Sequence, residues 1–130
     1  MIMAGILLIE SDLILAESIT KYLQALGHNI DWCSDAQLAV NRADESAPDL
    51  VILELQLAGH SGVEFLYEFR SYPEWQNIPI IIFSSIDEAE IEASSLLFGP
   101  LDILAYHHKH TTSLKELGSS VKQAAGLKKV

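Results

Sequence analysis

The stretch PDLVILELQLAGHSGVEFL, residues 48–66, carries the clearest indication of the fold of this chain. Its apolar run at residues 50–53 predicts a buried strand, and that strand leads directly into a carboxylate, Glu54. A glycine-containing loop follows, and Ser61 with Glu64 forms a capping-box pattern that predicts the start of a helix. A strand, an acidic residue at its tip, a loop and a helix together indicate an α/β unit with a functional position at the strand end.

The same alternation of short apolar runs and longer amphipathic segments extends along the chain. Five strands are predicted, at residues 5–9, 28–33, 50–54, 80–83 and 101–106. Five helices are predicted, at residues 12–26, 34–44, 61–71, 87–97 and 113–125, with capping boxes at Ser34 and Gln37 and at Ser113 and Glu116. Because strands this apolar need cover on both faces, the sequence predicts a parallel sheet with helices on each side.

Composition limits the classes of function. The 130 residues suit one domain, and 8 basic against 18 acidic residues give a net charge of −10. Such a surface repels nucleic-acid phosphates and anionic membranes, so neither is expected as a direct partner. Cys33 is the only cysteine, which fits a reducing cytoplasm. The apolar run at residues 1–9 is too short to span a membrane, and it lacks the basic start of a signal peptide.

Polar residues gather at the predicted carboxyl ends of the strands. They are Glu10, Ser11 and Asp12 after the first strand, Glu54 after the third, Ser84 and Ser85 after the fourth, and Tyr106, His107 and His108 at the fifth. Since function in such sheets gathers at the carboxyl ends of the strands, we expect these side chains to share one pocket.

The motifs ILLIESD, PDLVILELQLAGHSGVEFL, IPIIIFSS and GPLDILAYH, in this order and at this spacing, resemble the response-regulator receiver domain of two-component signalling. The resemblance covers residues 4–126 as a single domain and leaves residues 127–130 as a short tail. It implies a flavodoxin-like, doubly wound (βα)5 fold whose five parallel strands have the order 2-1-3-4-5. It also implies a signalling module that is not an enzyme.

The resemblance assigns roles to individual positions, and several of them depart from the family pattern. Glu54 stands where the family has its phosphoacceptor aspartate. Glu10 and Ser11 stand where the family has two acids that hold Mg²⁺, and Asp12 is next to them. Ser84 matches the switch hydroxyl.

At the end of the fifth strand, Tyr106 stands at the position of the lysine that contacts the phosphoryl group, and His107 at that of the proline after it. Lys109, three residues on, is not expected to substitute, so the site is predicted to lack its fixed cation.

These departures predict an atypical receiver, a pseudo-receiver that is not phosphorylated in the usual way. Phosphoryl transfer needs an in-line nucleophile and fixed positive charge, and a lengthened side chain misplaces its oxygens. No metal or other cofactor is expected, and Glu10 with Glu54 are the weak candidates for Mg²⁺. Two interpretations of Glu54 stay open: it imitates a phosphorylated aspartate by reaching toward Ser84, or it is an inert, solvated carboxylate.

Two further functions compete with this one. A working receiver would use Glu54 or another acceptor together with Mg²⁺. A flavin- or nucleotide-binding enzyme of the same architecture would need a phosphate-cradling loop after the first strand, where the acidic turn instead repels phosphate. For a receiver, the resemblance implies a protein partner, either a signalling kinase or an output protein, or a homodimer, through about residues 87–125.

The histidines suggest weaker sites. His107, His108 and His110 lie beside Tyr106, and His60 lies in the loop after the third strand. A transition-metal site or a pH sensor is conceivable there, although the spacing matches no zinc pattern.

Overall fold

The structure, a computed structural model, describes residues 4–57, 61–90 and 102–127. Its strands are β1 (Gly5–Ile9), β2 (Asn29–Cys33), β3 (Leu50–Leu53), β4 (Ile80–Ser84) and β5 (Ala105–His108). The helices defined within these residues are α1 (Leu13–Ala25), α2 (Ala36–Glu45), α3 (Gly62–Ser71) and α4 (Leu114–Leu127), with a 3-10 turn at Pro73–Trp75.

The five strands form one parallel sheet in the order β2-β1-β3-β4-β5. The predicted strand order and flavodoxin-like architecture are therefore confirmed. The register pairs Ile9 with Leu53 and Leu53 with Ile82, so the carboxyl ends of the three central strands are level. Residues that follow these strands are consequently brought to one edge of the sheet.

The side chains of the central strands alternate between two buried cores, one on each face of the sheet. One core joins Leu7, Ile9, Leu53 and Ile82 to residues of α2 and α3. The other joins Ile6, Leu8, Ile52 and Ile81 to residues of α1 and α4. Because both faces are covered, these strands are apolar along their whole length, as a parallel sheet requires.

The helix starts are fixed by side-chain caps. Asp12, Asp35 and Ser61 each accept a hydrogen bond from a backbone N–H in the first turn of α1, α2 and α3. The capping box predicted at Ser34 is wrong by one residue, since the carboxylate of Asp35 takes that position and also suits the helix dipole. The box predicted at Ser113 is confirmed, because Glu116 N donates to Ser113 Oγ at 3.1 Å and Ser113 N donates to Glu116 Oε1 at 3.2 Å.

The fifth strand lies later in the chain than predicted. Asp102 adopts a left-handed φ of 52°, and its carbonyl accepts a hydrogen bond from Arg70 Nη2 at 3.2 Å. The chain therefore turns before it pairs with β4, and β5 is displaced from residues 101–106 to Ala105–His108. This displacement changes which residue follows the strand.

Two predicted segments extend beyond the residues that the structure describes. Residues 88–90 of the predicted fourth helix are helical, and residues 91–97 lie outside the described residues. The last helix, α4, continues to Leu127 and so includes the first residue of the predicted tail at 127–130.

Gly62, at the start of α3, packs against the backbone that follows β3. Its N–H donates to the carbonyl of Leu55 at 2.8 Å. A Cβ at this position would lie 2.5 Å from the carbonyl oxygen of Glu54 and 2.6 Å from Leu55 Cα. Only glycine fits here without displacing the backbone that carries Glu54.

Candidate functional site at the carboxyl edge of the sheet

Two glutamates extend the central strands into a buried acidic site. The backbone N–H of Glu54 donates to Ile9 O at 3.0 Å, so Glu54 continues the pairing of β1 with β3 and lies beside Glu10. Glu10 is 2% exposed and Glu54 is 3% exposed. Carboxylates this buried need partners for their oxygens, because burial removes the water that would otherwise stabilise their charge.

Lys109 supplies the charge that these glutamates need. Its Nζ lies 2.7 Å from Glu10 Oε1 and 2.6 Å from Glu54 Oε1. Its backbone N–H donates to Ser84 O at 2.8 Å, which fixes Lys109 at the end of β5 beside the end of β4. One ammonium thus bridges two carboxylates in a buried cluster of three charged side chains.

Burial alone would lower the pKa of Lys109, because it disfavours the charged amine. The hydrogen bonds and negative charges of Glu10 and Glu54 outweigh that effect and raise the pKa above its ordinary value. The amine therefore stays protonated at neutral pH.

The second oxygen of Glu54 connects the site to the end of β4. Glu54 Oε2 accepts a short hydrogen bond from the Ser84 hydroxyl and another from Gln56 N at 3.0 Å. The Ser84 hydroxyl in turn accepts from Ile86 N at 3.1 Å. A continuous chain of polar contacts therefore runs from the glutamate into the segment after β4.

Tyr106 closes this chain from β5. Its hydroxyl donates to the carbonyl of Ile86. Burial raises the pKa of Tyr106 to about 12, so the hydroxyl keeps its proton and acts as a donor at neutral pH. Glu54, Ser84, Ile86 and Tyr106 form one connected unit across β3, β4 and β5.

The sequence model of the response regulator receiver domain matches residues 6–116 of this chain. The chain belongs to this family. It is a response regulator receiver of two-component signalling.

Individual relatives agree with this assignment. Swarming motility regulation protein RssB of Serratia marcescens is 36% identical over 118 residues, which cover 91% of this chain and 51% of that protein. Transcriptional regulatory protein QseB of Escherichia coli O157:H7 is 31% identical over 99 residues, which cover 76% of this chain and 44% of that protein. The receiver described here spans about half the length of the curated relatives it matches.

Solved structures share the receiver's fold. Chemotaxis protein CheY4 of Vibrio cholerae superposes with a TM-score of 0.83 at 16% identity, over 94% of this chain and 98% of that one. A sensor protein from Polaromonas superposes with a TM-score of 0.83 at 20% identity, over 95% of this chain and 96% of that one. None of the helices described in the receiver is long and apolar enough to cross a membrane.

The expectation that the receiver lacks a fixed cation in its site is wrong. The prediction placed Tyr106 at the lysine position because it ended the fifth strand there. The strand instead ends at His108, and the next side chain, that of Lys109, contacts both glutamates. The Tyr106 hydroxyl contacts Ile86 instead of serving in place of the amine.

The remaining predicted positions are only partly brought together. Glu10, Glu54 and Ser84 are buried in one site, whereas Ser11 and Asp12 are exposed. The Asp12 carboxylate accepts from Leu15 N and so serves as the cap of α1. The interpretation of Glu54 as a solvated carboxylate is wrong, because that residue is 3% exposed.

The oxygens of the two buried glutamates are engaged by donors of the chain itself. Glu10 Oε2 accepts Asp12 N at 3.0 Å, so each oxygen of both buried carboxylates already has a donor. The ammonium of Lys109 lies between the two Oε1 atoms, the position that a bridging cation would need. Mg²⁺ prefers an octahedron of free oxygens, and within the described residues no group of three His, Cys, Asp or Glu side chains is placed to hold a metal.

The histidines near β5 have separate partners. His107 Nε2 lies 2.6 Å from Ser120 Oγ, and burial lowers the pKa of His107. His108 Nε2 lies 3.1 Å from Asp87 Oδ1, and the His110 ring lies beside that of His108. His60 lies outside the described residues. The described contacts therefore give no support to a shared metal site.

Proposed function

We propose that this receiver is a pseudo-receiver, a signalling module that acts through protein contacts without being switched by aspartyl phosphate. The observation that supports this proposal is the set of contacts made by Glu54. Its carboxylate reaches the Ser84 hydroxyl with one oxygen and the Lys109 amine with the other.

The extra methylene of glutamate allows its carboxylate to make these contacts. In the family, the resemblance implies that a phosphoryl group on a shorter aspartate meets the switch hydroxyl and the lysine. Here the longer side chain brings its own carboxylate to a hydroxyl and an amine at the matching edge of the sheet. A carboxylate has fewer acceptor oxygens and less charge than a phosphoryl group, so it can replace only part of those contacts. Glu54 is therefore proposed to hold an active-like arrangement permanently.

The same contacts disfavour Glu54 as a nucleophile. Attack on phosphorus requires an oxygen with a free lone pair in line with the leaving group. Oε1 contacts the Lys109 ammonium and also accepts from Ser85 N at 3.4 Å, and Oε2 accepts from both Ser84 and Gln56. The carboxylate would have to break charged hydrogen bonds inside a buried site before it could attack, and this cost slows the reaction.

The proposed function does not require Mg²⁺. The Lys109 amine already lies between the two carboxylates that would serve as ligands, so a divalent ion would have to displace it. We therefore expect the folded state to form in a chelator and to change little when Mg²⁺ is added.

The expected partner is a protein, either a signalling kinase or an output protein, or a second copy of the receiver. Receiver domains interact with kinases and output domains. The family resemblance suggests a contact surface at residues 87–125. The polar chain from Glu54 reaches Ile86, directly before this range, and Tyr106, within it. Part of that surface, residues 91–101, lies outside the described residues.

Intact-protein mass after incubation with acetyl phosphate and Mg²⁺ tests the proposal. We expect no gain of a phosphoryl group, while an ordinary receiver treated in parallel is labelled. Gain by the wild-type protein that disappears in Glu54→Gln would overturn the proposal. The Glu54→Asp variant is the matched companion, because labelling of that variant alone would show that the glutamate is what blocks the reaction.

A working phospho-receiver is the second candidate, and Lys109 is the observation that favours it. The amine supplies fixed positive charge of the kind that stabilises a transferring phosphoryl group. The mass measurement separates the two candidates directly, since only this second one predicts labelling of the wild-type chain.

A further inference from the structure

A cavity lies between α1 and α4, away from the acidic site. Its volume is about 380 Å³, and its lining includes Tyr22, Leu26, His28, Lys115 and Lys122. This volume falls within the range of roughly 300–1,000 Å³ typical of small-molecule sites. His28 directly precedes β2 whereas Glu54 directly follows β3, so the cavity reaches the edge of the sheet opposite to the acidic site.

A glycine lets the two helices approach each other along the cavity. Gly118 is buried in α4, and a Cβ there would lie 3.0 Å from Tyr22 Cε2 and 3.1 Å from Leu26 Cδ1. The ring of Tyr22 and the exposed side chain of Leu26 therefore form an apolar wall directly against the helix. Such a wall suits an aromatic or aliphatic group.

His28 contributes its ring to the lining. It is 6% exposed, and its Nδ1 accepts a hydrogen bond from Ala4 N at 3.2 Å. Since Nδ1 accepts this hydrogen bond, the proton of the neutral ring is on Nε2. Burial lowers the pKa of His28, so the ring is neutral at physiological pH and Nε2 remains a donor. Because His28 lines the cavity, this N–H can donate to an acceptor of a bound ligand.

Two lysines supply positive charge at the same cavity. Lys115 and Lys122 are seven residues apart on α4, so they lie on one face of the helix about 10 Å from each other along its axis. Neither has a carboxylate within ion-pair distance among the described residues. None of the described residues that line the cavity is acidic, although the chain carries 18 acidic and 8 basic residues. The local charge is thus opposite to that of the whole protein.

We propose that this cavity binds a small organic anion, with its phosphate or carboxylate group between Lys115, Lys122 and the His28 N–H and its apolar body against Tyr22 and Leu26. Charged hydrogen bonds from ammonium groups favour the anion, and the apolar wall favours a molecule over a bare ion. The proposal goes beyond the pseudo-receiver function and does not depend on it, since the two sites share no residue.

Titration of ¹⁵N-labelled protein with phenyl phosphate, followed by amide chemical shifts, tests this proposal. We expect saturable shifts confined to the end of α1, the start of β2 and α4, with a matching shift of the His28 ring resonances. Phenol and inorganic phosphate, which each lack one half of the ligand, should bind at least several-fold more weakly.

Three single-charge variants locate the binding. Lys115→Gln and Lys122→Gln should each weaken phenyl phosphate by about three- to tenfold. Lys21→Gln is the matched control, because Lys21 is exposed on α1, carries the same charge and does not line the cavity. Absence of saturable shifts, equal binding of inorganic phosphate, or an equal loss in Lys21→Gln would each overturn the proposal, the last two by revealing only non-specific attraction of anions.

Discussion

Ion pairs of similar length occupy very different surroundings in two parts of this receiver. Lys109 Nζ lies 2.7 Å from Glu10 and 2.6 Å from Glu54, and Arg42 Nη2 lies 2.8 Å from Asp31. The side chains of the first group are 15% exposed for Lys109 and 3% for each glutamate, whereas those of the second are 46% and 45% exposed. The distances are therefore similar in the two groups of ion pairs, and the difference between the groups is burial.

The physical reason is how well the charged side chain that remains is solvated after its partner is removed. An exposed carboxylate regains water, so losing its cation changes little. A buried carboxylate does not, and it remains as an uncompensated charge in a medium of low polarity. We therefore expect the loss of the lysine to destabilise the acidic site far more than the loss of the arginine destabilises the surface pair on β2 and α2.

The largest expected effect follows from Lys109→Met. The variant keeps much of the length of the side chain and removes the charge, which leaves Glu10 and Glu54 buried and facing each other without a cation. We expect the free energy of unfolding in urea at pH 7 to fall by about 3–5 kcal/mol.

A triple variant identifies the cause of that loss. Combining Lys109→Met with Glu10→Gln and Glu54→Gln removes all three charges, and it should recover a large part of the lost stability. If the free energy of unfolding of the single variant is within about 1 kcal/mol of the wild-type value, a difference typical of exposed pairs, the contrast between the buried and the exposed ion pairs fails.

A smaller loss is expected from Gly62→Ala, which tests whether the backbone carrying Glu54 is as tightly constrained as its side chain. The new Cβ would lie 2.5 Å from the carbonyl oxygen of Glu54, so backbone must move. We expect a destabilisation of about 1–3 kcal/mol in the same urea assay.

Gly118→Ala is the control for that substitution. Its nearest contacts, at 3.0 and 3.1 Å, are the ends of the Tyr22 and Leu26 side chains, which can shift. Alanine also favours the interior of a helix by about 1 kcal/mol over glycine. An equal loss in both variants would show that Gly62 is an ordinary helix glycine and not a constraint on the site.

Most of the fold could be predicted from the sequence because the central strands are distinct apolar runs. The runs at residues 5–9, 50–53 and 80–83 are apolar on both faces, and each lies between amphipathic segments. The positions of Glu10, Glu54 and Ser84 follow from those strands, since each residue stands at the end of one.

The end of β5 could not be placed in the same way. Its residues, Ala105 to His108, are all partly exposed and include two histidines, so no apolar run marks them. The turn that delays the strand depends on Arg70 reaching the carbonyl of Asp102, a contact between residues 32 positions apart. Charge balance could have identified Lys109 from the sequence. Two buried carboxylates require a cation, and Lys109 is the basic residue nearest to the predicted end of the fifth strand.

A further effect is expected on acidification, and it extends the comparison to a buried group without a charged partner. Burial lowers the pKa of His28 below its ordinary value of 6.5. Between the two values the unfolded chain binds a proton that the folded chain does not, so this contribution to stability is complete above about pH 6.5 and is lost as the pH falls. Urea unfolding at several pH values between 8 and 5 should show a decline that is shallower in His28→Asn, whose amide oxygen can still accept from Ala4. Parallel declines in the two proteins would contradict this account.

The smallest expected effect concerns the exposed pair itself. Arg42 donates to Asp31 through both Nε and Nη2, and the hydrogen bond and charge of Asp31 raise the pKa of Arg42. These two contacts, at 3.2 and 2.8 Å to one carboxylate oxygen, are only slightly longer than those of the buried cluster. The guanidinium is charged at neutral pH with or without its partner. We expect Arg42→Met to leave the urea midpoint at pH 7 unchanged within experimental error, at low and at high salt. A loss comparable to that of Lys109→Met would mean that the geometry of the hydrogen bonds, and not burial, sets the strength of ion pairs in this receiver.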